Sequence, residues 1–224
     1  MALLQVALDV VDLRRALEIA MEIAAATGCE GVWLEAGTPL IKSWGALAIK
    51  LLKNSTGCFV VADTKTVDAA EVEVEAMGEA GADAVTVLGL AADETIKSAV
   101  EAARRRGVAI MVDMISHPDP LSRALEVRAM GIDYVIYHVG IDVQRHRGIT
   151  ARGLLAEAAR IKREAGLRIA VAGGLKLDDL AEVVRAGADV AIVGSAITRS
   201  QRPGEAARAM LDELRRASQA ASPS

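Results

Sequence analysis

One phrase recurs along the chain, and its spacing restricts the fold more than any other feature. GCEGV at 28, GADAV at 81, GIDYV at 131 and GADVA at 187 each follow an amphipathic stretch and precede an apolar one. A glycine closes the preceding helix in a left-handed cap, a short acidic turn follows, and a strand begins. The phrases stand roughly 50 residues apart, the length of two strand–helix units. Further strand starts lie between them, in GCFVVAD at 57, GVAIMVD at 107 and LRIAVAGG at 167. With the opening LLQVALD they make eight strands, near residues 3–9, 31–35, 58–65, 84–88, 108–113, 134–138, 168–172 and 189–193.

Helical patterns such as LRRALEIAMEIAAA, KSAVEAARRRG and RGLLAEAARIKREAG follow the strands, with apolar positions at helical spacing. Alternating units with apolar strands imply a parallel sheet, and eight of them close into a (β/α)8 TIM barrel. An open doubly wound sheet is the competing architecture. It would show a glycine-rich turn after the first strand, and LDVVDLRR holds no glycine. No linker divides the chain, so residues 1–216 read as one barrel domain and 217–224 as a disordered tail.

Composition narrows the class. Aromatic residues make up 2% of the chain against 52% hydrophobic, so the core must be aliphatic. With a net charge of −4 and scattered Lys and Arg, nothing resembles a nucleic-acid surface. Cys29 and Cys58 show no metal or disulfide spacing, which fits a reducing compartment. No secretory signal or membrane-length apolar run is legible, so the expectation is a soluble cytoplasmic protein.

In such a barrel the C-terminal strand ends form the active site. Strand one ends at Asp9, two at Glu35, three at Asp63 and Lys65, five at Asp113 and six at His138. Strand seven ends in Gly173 and Gly174, and strand eight in Gly194 and Ser195. Each has a structural reading alone: an acid after a strand can cap the next helix, and paired glycines can be only a turn. Their gathering at one end of one barrel argues for a site. Glu35 and Asp63, on adjacent strands, offer hard oxygen ligands suited to Mg²⁺. Lys65 supplies a cation for an oxyanion, and Asp68, at the start of the next helix, is placed to orient it. His138 can move a proton near neutral pH. The glycine turns expose backbone N–H groups to a phosphate. Metal, lysine, proton carrier and phosphate cradle together point to a sugar phosphate reacting through an enediolate.

Asp63, Lys65 and Asp68 form a D-x-K-x-x-D motif, and the chain resembles the orotidine-5′-monophosphate decarboxylase suprafamily. EAGTPLIK at 35–42, VADTKTVDA at 61–69, GADAVTVLG at 81–89, HVGIDVQ at 138–144 and VAGG at 171–174 are similar to its 3-hexulose-6-phosphate synthase branch over nearly the whole chain. The resemblance implies a homodimeric barrel with sites at the interface, Mg²⁺ on Glu35 and Asp63, and Asp68 donated to the partner's site. A sister branch, 3-keto-L-gulonate-6-phosphate decarboxylase, tends to carry Glu at Asp113, Arg at Ile141, Thr at Ala172 and Arg at Ser195, so these positions favour the synthase. The synthases usually have Glu where this chain has Trp44.

The expected reaction is Mg²⁺-dependent condensation of formaldehyde with D-ribulose 5-phosphate, and its reverse. Lys65, Asp68 and His138 are the expected catalytic residues. Asp9, Asp113, Gly173, Gly174, Gly194 and Ser195 would hold the substrate, with Asp9 and Asp113 on sugar hydroxyls. The alternatives are the sister decarboxylase and, in another class, a barrel that binds a phosphosugar without turning it over.

Overall fold

The computed structural model describes residues 1–221. Its strands are β1 (Leu3–Leu8), β2 (Val32–Ala36), β3 (Phe59–Thr66), β4 (Ala84–Leu88), β5 (Ala109–Asp113), β6 (Tyr134–His138), β7 (Arg168–Ala172) and β8 (Val190–Val193). They form a closed barrel in sequence order, every neighbouring pair parallel, with β8 pairing back to β1. Closure leaves no unpaired strand edge, and the doubly wound alternative is excluded. The helices are α1 (Leu13–Thr27), α2 (Thr38–Trp44), α3 (Ala46–Thr56), α4 (Ala70–Glu79), α5 (Asp93–Arg106), α6 (Pro120–Arg128), α7 (Ile141–Arg147), α8 (Leu155–Ala165), α9 (Leu180–Arg185), α10 (Ser195–Thr198) and α11 (Pro203–Ala221).

The recurring phrase has a physical reason at both of its ends. Gly28 caps α1 at φ 65°, its N–H donating to the Ala24 carbonyl. The aspartates of the later phrases each accept the N–H of the first residues of a neighbouring strand. Asp83 takes Val60, Asp133 takes Ile110, and Asp189 takes Ile169, at 2.7–2.9 Å. Lys53 and Lys162 neutralise Asp83 and Asp189 from the preceding helices. These staples fix the register of the strands at the end of the barrel away from the site.

Most of the core lies between strands and helices and is aliphatic, as the composition requires. The barrel interior is a second, smaller cluster that includes Ala7, Val61, Met111, Ile136, Ala170 and Ile192. Its floor is aromatic: Trp33 stacks on Phe59 at 4.2 Å, Tyr134 meets Trp33 edge-on, and the Arg168 guanidinium covers Tyr134. The few aromatic residues are thus spent largely on plugging one end.

Two expectations fail. Cys29 and Cys58 form a disulfide, with Cα atoms 5.2 Å apart. Each follows a helix-capping glycine, Gly28 or Gly57, and precedes one of two adjacent strands, so sheet pairing brings together residues that are 29 apart in sequence. The argument for a reducing compartment from unpaired cysteines is lost with it. The tail expected from 217 is helical up to Ala221, the last turns of α11, and Ser218 Oγ accepts the Ala2 N–H. Residues 222–224 lie outside the described residues.

Candidate active site

β3 positions the centre of the site by departing from regular pairing. Between Ala62 and Thr66 its register against β4 shifts, so four steps along β3 match two along β4. Lys65 sits in this bulge at φ 49°, a left-handed conformation that costs a non-glycine residue about 1–2 kcal/mol. Asp63 and Lys65 do meet, but through the bulge and not through simple alternation. Lys65 Nζ lies 2.6 Å from Asp63 Oδ2 and 3.5 Å from Asp113 Oδ2. Thr86, fully buried on β4, holds both partners: its hydroxyl donates to Asp63 Oδ1 at 2.9 Å and accepts the Lys65 N–H at 3.0 Å. Thr38, the first residue of α2, donates its N–H and its hydroxyl to Asp63 Oδ2.

From Lys65 the network continues to the proton carrier. His138 Nδ1 is 2.9 Å from Asp113 Oδ2, and the Ile115 N–H donates to Asp113 Oδ1. Asp113 is buried, and burial works to raise its pKa. The charge and hydrogen bond of His138, then Lys65 and the Ile115 N–H, outweigh that and hold the carboxyl below its ordinary range. Both Asp113 oxygens are therefore engaged, which places the residue behind His138 and not free for a sugar hydroxyl. Burial works to lower the Lys65 pKa, but Asp63, Asp113 and Glu35 overcome it and keep the ammonium firmly protonated.

Glu35 stands inside the barrel, 6% exposed, with Gln5 Nε2 donating to its Oε2 at 2.7 Å. Burial pushes its carboxyl well above the ordinary range, and the charges of Asp63 and Asp9 push the same way. Asp9 lies at the open mouth yet is walled by the strand ends. Desolvation there, and then Asp63, raise its pKa as well. It is flanked by Gly37 and Gly194, where any Cβ would approach its carboxylate oxygens.

Gly173 and Gly174 have φ of 126° and 70°. A Cβ on Gly173 would lie 2.7 Å from the Val139 carbonyl oxygen, so the turn admits only glycine. Gly174, Gly194 and Ser195 join Asp9 and His138 around a cavity of about 370 Å³. The carboxylate–lysine network lies behind it, linked through Asp9 and His138. Asp68 is not brought in. It is exposed on the β3–α4 connection, with no hydrogen bond or ion pair among the described residues. Trp44 donates its indole N–H to the Val11 carbonyl at 2.8 Å, tying α2 to the loop after β1.

Sequence reasoning missed Gln5, Thr38 and Thr86, which orient the charged groups, and Arg145 and Arg199, which line the cavity. Gln5 had a visible signal, a polar side chain in the apolar run LLQVAL.

A divalent cation fits the residues present. Asp9 and Glu35 Oε1 accept no hydrogen bond, and Gln5 Oε1 is the one buried side-chain polar atom without a partner among the described residues. The surrounding carboxylates raise one another's pKa, with Lys65 the cation among them. No cluster of three or more His, Cys, Asp or Glu side chains with metal-holding geometry occurs among the described residues. Two carboxylates completed by water and substrate oxygens are the usual environment of Mg²⁺.

Fold and site define a parallel barrel enzyme with an acid–lysine–histidine centre beside an anion-ready turn. The profile of the orotidine 5′-phosphate decarboxylase / HUMPS family matches residues 2–210, and the chain belongs to that family. It is 41% identical over 208 residues to the 3-hexulose-6-phosphate synthase of Mycobacterium gastri, covering 92% of this chain and 96% of the relative. A crystal structure of a 3-hexulose-6-phosphate synthase superposes with a TM-score of 0.86 at 40% identity, covering 94% of this chain and 99% of the other. KGPDC from Streptococcus mutans, solved in complex with a pentose 5-phosphate, gives a TM-score of 0.88 at 28% identity over 96% and 98% of the two chains. The chain is a lyase-type enzyme of the aldolase kind. Among the described residues no helix is long and apolar enough to cross a membrane.

Proposed function

We propose that the enzyme condenses formaldehyde with D-ribulose 5-phosphate to D-arabino-3-hexulose 6-phosphate, and catalyses the reverse. The observation that carries this reading is the continuous relay from Asp63 through Lys65 and Asp113 to His138. It puts a fixed ammonium and a proton carrier side by side at the inner end of a phosphate-sized cavity. Asp113 accepts from His138 Nδ1, which leaves Nε2 to take the C1 proton of the ketose. The Lys65 ammonium, held in place before reaction, stabilises the enediolate oxygen. The enediolate carbon then attacks formaldehyde, and the imidazolium returns its proton to the new alkoxide. When bound on Glu35 and Asp63, a divalent cation such as Mg²⁺ supplies the charge that acidifies the C1 proton. Asp9, at the mouth with both oxygens free, takes a sugar hydroxyl. Gly173, Gly174, Gly194 and Ser195 surround the phosphate.

Asp68 acts in the partner subunit's site of a homodimer. Support comes from its exposure without a contact, beside the exposed apolar side chains of Val67 and Val72. A cytoplasmic location rests on the relatives' metabolic role. The competing substrate is 3-keto-L-gulonate 6-phosphate, favoured by the likeness to KGPDC. The two are separated by kcat/KM on each substrate, with Mg²⁺ and with chelator. Ribulose 5-phosphate with formaldehyde should greatly exceed the keto-gulonate, and chelator should abolish turnover until Mg²⁺ is restored. A preference for the keto-gulonate would overturn the assignment, and full activity in excess chelator would remove the metal from it.

A further inference from the structure

The inner cavity opens onto a second of about 660 Å³, and the two share Ile141, Gln144, Gly174, Ser195, Arg145 and Arg199 among their walls. The outer cavity is lined by Arg145, Lys176 and Arg199 and by no acidic residue. That is an unusual wall on a chain whose net charge is −4. Arg145, on α7, and Arg199, which follows α10, make no ion pair and no side-chain hydrogen bond among the described residues. Most other arginines of the chain do; Arg105, Arg123 and Arg152, for instance, are each held by carboxylates.

Unpaired guanidinium groups on two different elements, both facing the passage between the cavities, hold a positive potential where a substrate's far end must lie. We infer that Arg145 and Arg199 form a side-chain clamp on the phosphate dianion of the substrate, outside the backbone turn at Gly173 and Gly174. The clamp rests on the proposed function for the identity of the sugar but not for the charge it recognises. A guanidinium fork matches two phosphate oxygens at once. Placed at the mouth, the pair also attracts a dianion before contact, an effect that salt screens over about 8–10 Å. Because the phosphate does not change during proton transfer or carbon–carbon bond formation, the clamp contributes equally to ground and transition states. Its loss therefore appears in KM and not in kcat.

The test uses Arg145→Ala, Arg199→Ala and the double variant. Arg147→Ala serves as the control, a neighbouring cation on α7 that lines neither cavity. Each single variant should raise KM for ribulose 5-phosphate about 10-fold with kcat within about 2-fold, and Arg→Lys should recover part of the loss. The salt dependence of kcat/KM should flatten in the double variant and persist in the control. A second arm titrates inorganic phosphate into the metal-free protein by calorimetry, where affinity should fall in the same order. Unchanged KM and unchanged phosphate affinity in the double variant would overturn the clamp. If wild type fails to turn over ribulose 5-phosphate but binds phosphate through both arginines, the proposed function falls and the clamp stands.

Discussion

Thr86→Val is the perturbation that most directly tests how the centre is built. The substitution keeps shape and removes one hydroxyl from a fully buried position. That hydroxyl makes two bonds, to the Asp63 carboxylate and to the N–H of Lys65 in its left-handed bulge. A bond to a charged group contributes about 1.5–3 kcal/mol, and a buried N–H left without a partner costs about 1–3 kcal/mol. Part of this is returned by the apolar environment of the new methyl group, about 0.8 kcal/mol. A net loss of roughly 3 kcal/mol follows, which for a domain of this size lowers Tm by about 6–12 °C. Catalysis should fall further than folding. With its N–H released, Lys65 has one anchor less against the strain of the bulge, and a displaced oxyanion donor costs about 10²-fold or more in kcat. Thermal melts by circular dichroism and steady-state rates at a temperature where both proteins are folded read the two effects separately. Thr86→Ser keeps the hydroxyl and should restore most of both. A Thr86→Val protein with wild-type Tm would refute the bonding argument. One that melts early but keeps wild-type kcat would show that Lys65 is positioned by other means.

Three more outcomes are expected. The raised Glu35 pKa means that the folded, metal-free protein holds this proton to higher pH than the unfolded chain. Stability in chelator should therefore decline as pH rises from the ordinary glutamate range toward the raised value, and Glu35→Gln should flatten that decline in pH-dependent urea melts while abolishing Mg²⁺ binding. Closing a loop with a sequence separation of 29 makes the Cys29–Cys58 bond worth about 3–4 kcal/mol in the chain-entropy picture; reductant should lower Tm in wild type and leave Cys29→Ser/Cys58→Ser unmoved. Asp68→Ala and Lys65→Ala proteins should each be inactive, and after subunit exchange they should recover about a quarter of wild-type activity, since each heterodimer holds one site with both lesions and one with neither. No recovery despite exchange shown by mass spectrometry would place Asp68 in its own chain's site.

The strands were legible because glycine and acid mark each helix-to-strand turn. Each observed strand lies within about two residues of its expected position, and the polar residues ending them did gather at one mouth. Side-chain facing was less legible, for a reason particular to parallel barrels. Both faces of each strand are buried, so the period of two carries little contrast between apolar and polar. Thr86 in AVTVL and Gln5 in LLQVAL could not be assigned inward from pattern alone. The Lys65 bulge was invisible because no glycine announces it; its positive φ is imposed by Asp63 and Thr86 after the fold exists. The disulfide escaped because cysteine spacing was read along the chain, whereas β2–β3 adjacency decides it.

That contrast between local and imposed structure has a consequence for where the chemistry sits. Punctuation by Gly28, Gly81, Gly131 and Gly187, all at positive φ, belongs to the end of the barrel that holds the fold. Asp83, Asp133 and Asp189 satisfy strand N–H groups there and are themselves neutralised, so this end is electrostatically closed. At the opposite end the balance is left open. Glu35 and Asp9 repel Asp63, Gln5 Oε1 lacks a donor, Lys65 is strained, and Arg145 and Arg199 have no anion. Each imbalance has the sign of a group the substrate or a cation would supply: positive charge and oxygen ligation among the acids, a dianion between the arginines. A fold stabilised from its floor can keep such a mouth under-satisfied, and binding there relaxes several costs at once. The expected signature is ligand-induced stabilisation larger for Mg²⁺ and sugar phosphate together than for the two added separately, and strict additivity in thermal shift would show that the two halves of the mouth are uncoupled.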